Sequence, residues 1–201
     1  AHRGRSKALL RTMVENGIKS SWTAQARVDV VKDRELMDLM KATHCYMLYI
    51  GFESINPATL AAYNKQQTVS EIKESIRILH QYGIRIHGMF VVGADTDDVQ
   101  VIRDTADFAK EVRIDTLQLM MLTPLPGTVT YRQLTEEGRL FSKDWSLYDG
   151  AHPVMRTGSI SPDELRSLLV RAYARFYLRL SHAPELLVDV ARKLVRFARI
   201  R

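Results

Sequence analysis

Residues 68–92 read TVSEIKESIRILHQYGIRIHGMFVV. Thr68-Val69-Ser70-Glu71 is a capping-box pattern, in which a hydroxyl and a carboxylate three residues apart satisfy free backbone N–H groups at a helix start. Ile72, Ile76 and Leu79 then recur on one helical face. Gly83 stands where a helix-terminating residue belongs. Residues 84–92 are a nearly unbroken apolar run of strand length. A capped helix, a glycine and an apolar strand make one half of a βα repeat.

The same alternation extends to both sides. Residues 21–28 (SWTAQARV), with Thr23, Gln25, Arg27 and Asp29 on one side, read as an earlier strand. Residues 46–52 (YMLYIGF) and 116–122 (TLQLMML) read as two more. Runs this apolar suit strands covered on both faces. Helical patterns lie between them at residues 33–43, with Leu36, Leu39 and Met40, and at 97–112, with Val101, Ile102, Ala106, Phe108 and Ala109. Residues 8–16, before Gly17, look like the last turns of another helix. Strands and helices alternating at these lengths imply βαβ crossovers and a parallel sheet. About four strands are visible, whereas a closed eight-stranded barrel typically takes about 250 residues. The first strand would be an unprotected edge. The expectation is an α/β fold, a partial parallel (βα) barrel over residues 1–128 that forms the C-terminal portion of a larger barrel. A small complete α/β domain is the alternative.

After Pro124 the pattern changes. Residues 123–128 (TPLPGT) form a rigid turn, 133–141 a short helix, and 144–156 an aromatic loop. Ser161-Pro162-Asp163-Glu164 places an N-cap, an N1 proline and an N3 glutamate in register. Leu165, Leu168, Leu169, Ala172, Tyr173, Phe176 and Leu180 then make one apolar stripe. Pro184 opens a last helix with Leu187, Val190, Leu194 and Phe197 on one face. Residues 129–201 are thus a loop and α-helical extension.

The chain has 201 residues, 46% hydrophobic and 26% charged, which is the composition of a folded globular protein and excludes collagen or coiled coil. No apolar run reaches the roughly 18 residues of a membrane span. The net charge of +6 is unevenly placed. Residues 166–201 hold nine Lys/Arg against Glu185 and Asp189, a net of +7. The rest holds 20 basic and 21 acidic residues, a net of −1. The body therefore has no nucleic-acid signature, and no nucleic-acid partner is expected. The basic tail leaves two readings open: a solvated helix face, or contact with a polyanion or a membrane surface. One cysteine, Cys45, excludes an internal disulfide and a cysteine-only metal site, and fits a cytoplasmic protein. No P-loop, zincin motif, dinucleotide fingerprint or Ser-His-Asp order is present.

In parallel α/β architectures the site lies at the C-terminal strand ends. Those ends offer Arg27 and Asp29, then Glu53 and Ser54, then Gly93, Asp95 and Thr96, then Thr123, Pro124 and Gly127. A cation, carboxylates and exposed backbone suit a polar, zwitterionic small molecule, since Arg can clamp a carboxylate with two parallel hydrogen bonds. Arg27 and Glu53 can equally be a buried ion pair bridging neighbouring strands. Gly88 and Gly93 can be packing glycines or points of close ligand approach. Met89, Met120 and Met121 read as core, and His87 as a hydrogen-bonded structural histidine.

These residues resemble the C-terminal part of the radical S-adenosylmethionine (radical SAM) family, over about residues 22–177. Residues 22–29 (WTAQARVD) are similar to its third-strand pattern. Ile50-Gly51-Phe52-Glu53-Ser54 follows, with Asn56 and Tyr63-Asn64-Lys65 after it. Residues 78–93 (ILHQYGIRIHGMFVVG) resemble the fifth-strand segment, and 122–128 (LTPLPGT) the sixth-strand turn. Residues 139–156, with Asp144-Trp145-Ser146 and Tyr148-Asp149-Gly150, resemble the extension of cobalamin-binding members.

The resemblance implies reductive cleavage of S-adenosylmethionine by a [4Fe–4S] cluster to give a 5′-deoxyadenosyl radical. It implies methyl transfer to unreactive carbon, or a related radical reaction, in a cobalamin-dependent enzyme with a small-molecule substrate. The family holds its cluster in a C-x-x-x-C-x-x-C loop, which these residues lack. The cluster ligands and any cobalamin domain therefore lie outside this chain, and the missing N-terminal part of the barrel becomes a required partner. By the resemblance, Gln25 and Arg27 face S-adenosylmethionine, and Glu53 with Ser54 reaches its ribose or methionyl part. The backbone at Gly88–Gly93 and Leu122–Pro124 flanks the adenine. Ala94-Asp95-Thr96-Asp97 replaces the family's common Pro-Gly-Glu-Thr. A noncatalytic ligand- or partner-binding module with a basic tail is the competing reading.

Overall fold

The computed structural model describes residues 2–178. Four strands, β1 (Trp22–Ala26), β2 (Cys45–Glu53), β3 (Arg85–Val92) and β4 (Thr116–Met121), form one parallel sheet in the order β1-β2-β3-β4. Each strand pairs with the next in sequence, so the sheet steps one way without the reversal of a doubly wound fold. That is the connectivity of a (βα) barrel wall.

The helices are α1 (Arg3–Glu15), α2 (Arg34–Ala42), α3 (Pro57–Ala62), α4 (Val69–Gln81), α5 (Val99–Glu111), α6 (Val129–Glu136) and α7 (Pro162–Tyr177). The capping box of α4 forms in both directions between Thr68 and Glu71. Gly83 takes φ +74 just after the helix, a conformation only glycine adopts without cost.

The sheet is covered on one face only, which corrects the expectation of strands buried on both. Leu48, Ile50 and Phe52 of β2, Ile86, Phe90 and Val92 of β3, and Leu117, Leu119 and Met121 of β4 are buried in one core with residues of α2, α4, α5 and α7. Apart from Met47, which is buried, the alternate residues Gln25, Tyr49, Gly51, Glu53, His87, Met89, Gln118 and Met120 are half-buried or exposed. The runs looked continuous because tyrosine, methionine and glycine on the open side count as apolar in a sequence.

Other differences are local. β1 stops at Ala26 and turns at Val28 into a 3-10 segment, leaving Arg27 beyond the strand. α5 begins after Asp98, whose carboxylate accepts from Val101 N, so Asp97 belongs to the loop. α6 starts four residues before its expected position, because the Thr128 hydroxyl caps it, and it ends ahead of Gly138 (φ +66).

α7 buries Leu165, Leu168, Leu169, Ala172 and Phe176 against the sheet and α5, as its stripe implied. The same helix closes the outer edge of β4. Tyr173 Oη accepts from Leu119 N and donates to Leu119 O, both at 2.9 Å. Tyr177 Oη repeats this at Leu117, at 2.8 Å on each side. Two hydroxyls thus replace a neighbouring strand. Leu180 and the last helix expected from Pro184 lie outside the described residues.

Candidate functional site

The four C-terminal strand ends lie along one rim, and Glu53 is its best-built residue. A bulge between Gly51 and Glu53 breaks the register against β3, and Glu53 takes φ +66, a strained value for a side-chain-bearing residue. The twist folds its carboxylate back over Gly51, where a Cβ would sit 2.6 Å from Glu53 Oε1. No side chain at Gly51 competes with that carboxylate for the space. Glu53 Oε1 accepts from Lys65 Nζ at 2.8 Å, and both side chains keep partial solvent access. Gln67 Nε2 donates to Phe52 O at 2.8 Å and fixes the strand end from below.

Arg27 does not meet Glu53. Its side chain is 79% exposed, and its ion pair is a loose 3.8 Å contact with Asp29. The strand-bridging Arg27–Glu53 pair is therefore not formed. Gln25 stands exposed on the open face of β1. Gln25 and Arg27 both line a cavity of about 270 Å³ beside the free edge of β1, together with Arg3, Trp22 and Asp29.

Ser54 is buried, and its hydroxyl accepts from Asn56 N at 3.0 Å, so it shapes the turn into α3. Gly88 turns toward the helices, where a Cβ would strike Ile114 at 2.9 Å, so its side-chain position belongs to packing. Gly93 (φ +90) ends β3 beneath Leu165, and its N–H donates to Asp97 Oδ2 at 3.1 Å. Pro124 is buried just past β4, following Leu122, whose N–H donates to Val92 O at 2.8 Å.

The loop after β3 is held by a residue the sequence reading left without a role. Asp97 is 1% exposed. Its carboxylate accepts from Gly93 N and Ala94 N at 3.1 Å and from the Thr59 hydroxyl at 2.7 Å. Burial pushes its carboxyl above the ordinary aspartate value, against the pull of those donors. Asn56 Nδ2 donates to Thr96 O at 2.8 Å, tying the same loop to α3. Arg139 clasps Asp95 with two N–H groups and donates to Arg156 O, so the extension grips the loop from its other side. Its guanidinium holds the Asp95 carboxyl below its ordinary value.

Tyr63 sits behind this rim. Its hydroxyl is buried and has no hydrogen-bond partner among the described residues, and its pKa is raised, first by burial and then by the charges of Asp97, Glu53 and Asp95. An orphaned hydroxyl beside a carboxylate asks for a further donor or acceptor.

Below the rim, the open face carries a row in exact register across all four strands: Gln25, Tyr49, His87 and Thr116. His87 Nδ1 lies 2.7 Å from Thr116 Oγ1, its Nε2 lies 3.4 Å from Gln118 Oε1, and its ring tilts against Tyr49 at 4.5 Å. The next row is Gly51, Met89 and Gln118. A barrel interior that serves only as core is packed with branched aliphatic side chains. This one presents amides, hydroxyls and an imidazole, polar groups of the kind that orient a small molecule. His87 is hydrogen-bonded, as expected of it, and it stands on this open face of the sheet.

The residues present do not fit an iron–sulfur cluster. Cys45 is buried at the opposite end of β2 from the rim, and burial pushes its thiol up to about 11. Among the described residues no group of three or more His, Cys, Asp or Glu side chains is placed to hold a metal ion. No helix among them is long and apolar enough to cross a membrane.

The sequence model of the radical SAM superfamily matches residues 3–109. The chain belongs to that superfamily. S-Adenosylmethionine and a [4Fe–4S] cluster are the cofactors of radical SAM proteins. The chain is 29% identical over 165 residues to an uncharacterized methyltransferase of Pyrococcus horikoshii, covering 82% of this chain and 36% of that protein. It is 30% identical over 177 residues to the anaerobic magnesium-protoporphyrin IX monomethyl ester cyclase of Cereibacter sphaeroides, covering 86% and 29%. It is 28% identical over 170 residues to the bacteriochlorophyllide d C-12(1)-methyltransferase of Chlorobaculum tepidum, covering 84% and 36%. The chain thus spans about a third of the length of these curated relatives. Among solved structures it resembles the radical S-adenosylmethionine methyltransferase TsrM of Kitasatospora setae, which was determined with cobalamin and a [4Fe–4S] cluster bound. The TM-score is 0.57 at 18% identity, over 65% of this chain and 26% of that one. It also resembles Elp3 of Methanocaldococcus infernus, with a TM-score of 0.51 at 15% identity, over 78% of this chain and 42% of that one. These likenesses show a fold that corresponds to part of a radical SAM barrel.

Proposed function

We propose that this chain is the S-adenosylmethionine- and substrate-facing half-barrel of a cobalamin-dependent radical SAM enzyme that transfers a methyl group to an unreactive carbon. The observation that carries the reading is Glu53, held at a strained φ over Gly51 at the end of β2. Strain persists where the surroundings enforce it, and here it folds a carboxylate over the open face of the sheet. The names of the methyltransferase relatives support the reaction class.

When bound to its cluster, S-adenosylmethionine supplies a reductively cleavable sulfonium. This chain's residues bind and orient it. Glu53 would hold the ribose hydroxyls, and its present partner Lys65 would supply a cation for the methionyl carboxylate. Arg27, exposed on the neighbouring strand end, adds a second cation for that carboxylate. The Tyr63 hydroxyl supplies a donor behind Glu53. The loop locked by Asp97 presents the Gly93 region as a rigid wall beside the adenine. The row Gln25–Tyr49–His87–Thr116 holds no carboxylate, lysine or arginine, and it suits a substrate with neutral hydrogen-bonding heteroatoms. Met89 and Met120 offer it polarizable apolar contact.

The cluster ligands, the cobalamin site and the remaining barrel strands come from the longer protein, which we place in the cytoplasm. Anaerobic reconstitution of that complete enzyme, with a reductant and S-adenosylmethionine, tests the reading. Formation of 5′-deoxyadenosine that Glu53→Ala abolishes is the expected result. Reconstituted enzyme that binds a cluster but never cleaves S-adenosylmethionine would overturn it.

A further inference from the structure

On the outside of the barrel wall, away from the strand ends, α5 and α7 enclose a cleft of about 260 Å³. Its floor is Leu168 and Ala172, and its walls are Arg103 of α5 with Arg171 and Arg175 of α7. Arg175 is committed: its Nε donates to Asp107 Oδ1 at 2.7 Å, and a second N–H goes to Asp107 Oδ2. The nearby carboxylates are committed too. Asp107 also takes Lys110 at 2.6 Å, and Asp104 accepts from Gln100 at 2.7 Å. Arg103 and Arg171 have no ion pair or hydrogen bond among the described residues. Two guanidinium groups without an ion pair among the described residues therefore face one cleft from two helices that pack closely on each other.

The cleft is built on rigid elements, since Ile102, Ala106 and Ala109 of α5 and Leu168, Leu169 and Ala172 of α7 are all buried in the same core. Guanidinium forks that converge from separate helices match the oxygens of a tetrahedral oxyanion, which they can bind by parallel charge-assisted hydrogen bonds. Among the described residues the nearest carboxylates, Asp104 and Asp107, are both hydrogen-bonded to other groups.

We infer that Arg103, Arg171 and the free N–H groups of Arg175 form a binding site for a phosphoryl group, on the outer face and independent of the S-adenosylmethionine site. The phosphoryl group can belong to a soluble phosphate compound or to an anionic lipid headgroup, and both present the same oxygens. The site stands whether or not the proposed reaction is right.

The test uses the full 201-residue chain, its basic tail intact, with inorganic pyrophosphate as the soluble probe. Arginine Nε–Hε resonances of Arg103 and Arg171 are followed by NMR during titration. In parallel, sedimentation with phosphatidylcholine vesicles is compared with vesicles containing phosphatidylglycerol. Saturable shifts at both arginines are expected, with affinity falling roughly tenfold or more in the Arg103→Gln/Arg171→Gln double variant. Arg166→Gln, on α7 but outside the cleft, should bind as the parent does. Arg103→Lys keeps the charge without the fork and should fall between the two. Vesicle binding that requires phosphatidylglycerol and disappears in the double variant assigns the site to a lipid headgroup; pyrophosphate binding alone assigns it to a soluble phosphate. The inference is overturned if neither probe binds, or if binding is undiminished in the double variant, because the anion then sits elsewhere, such as on the tail. Unchanged thermal unfolding of the variants confirms that these exposed substitutions leave the fold intact.

Discussion

Tyr173 Oη lies 2.9 Å from both the amide nitrogen and the carbonyl oxygen of Leu119, completing the backbone hydrogen bonds of an edge strand with a side chain from a helix 54 positions later. Tyr177 does the same at Leu117. The sheet thus ends at β4 by design, and α7 is part of the barrel wall. Removing one hydroxyl strands an N–H and a C=O in a half-buried place. Tyr173→Phe should cost about 1–2 kcal/mol. The Tyr173→Phe/Tyr177→Phe pair should cost more, and hydrogen exchange should accelerate selectively at Leu117 and Leu119. Equal exchange in parent and variant would show that the hydroxyls do not protect the edge.

Gly93 should tolerate no side chain. Its φ of +90 lies outside the usual range of L-residues, and a Cβ there would meet Leu165 Cδ2 at 2.9 Å. Gly93→Ala should therefore lose roughly 1–3 kcal/mol from backbone strain, with the clash adding to it. Urea unfolding measures this directly. Gly17→Ala, with φ +62 but open space around it, isolates the backbone component.

The α5–α7 seam should weaken in acid. The Arg175 guanidinium holds the Asp107 carboxyl at about 2, below its ordinary value. A depressed folded-state pKa gives stability that is fully present above the unfolded value near 4 and is lost as pH falls through 2. The pair is largely exposed, so solvent screening keeps its contribution small. Asp107→Asn should thus be less stable than the parent at pH 7, and the difference should shrink between pH 4 and 2. A difference that does not change with pH would mean that the carboxylate's charge is irrelevant to the seam.

The alternation of helix and strand was readable because it rests on short-range chemistry: the Thr68–Glu71 capping box, the α7 proline at Pro162, glycines at helix ends. The rim position of Glu53 was readable as a strand end. The strain that aims its carboxylate was not, since a φ of +66 on glutamate leaves no trace in composition. Glycine two residues earlier was the available signal. The role of Asp97 was hidden because one partner, Thr59, is brought to it from 38 positions away, and the other, the Gly93 amide four residues earlier, depends on how the loop folds. The tyrosine clasp at β4 was hidden for the same reason: Tyr173 counted as one more residue of an apolar stripe, and only the packed sheet shows what its hydroxyl meets.

Iron should not bind this chain alone in the family's manner. A [4Fe–4S] cluster takes several Cys thiolates, and Cys45 is single, buried and protonated at neutral pH, its thiol pushed up to about 11. Anaerobic reconstitution of the 201-residue chain with iron and sulfide should give no stoichiometric cluster absorption and no 5′-deoxyadenosine. A stoichiometric cluster would show that ligation does not depend on the cysteine loop.

The role of the rim as the S-adenosylmethionine site is tested most directly by S-adenosylmethionine affinity in the complete, anaerobically reconstituted enzyme, measured by equilibrium dialysis for the parent, Glu53→Ala and Arg27→Ala. Arg27 is largely exposed and does not pair with Glu53, so its removal should leave the melting temperature nearly unchanged. Both variants should bind S-adenosylmethionine at least roughly tenfold more weakly, the loss of one charge-assisted contact, with cluster absorption intact. Unchanged affinity in Glu53→Ala, in an enzyme that still carries its cluster, would contradict the assignment of this rim.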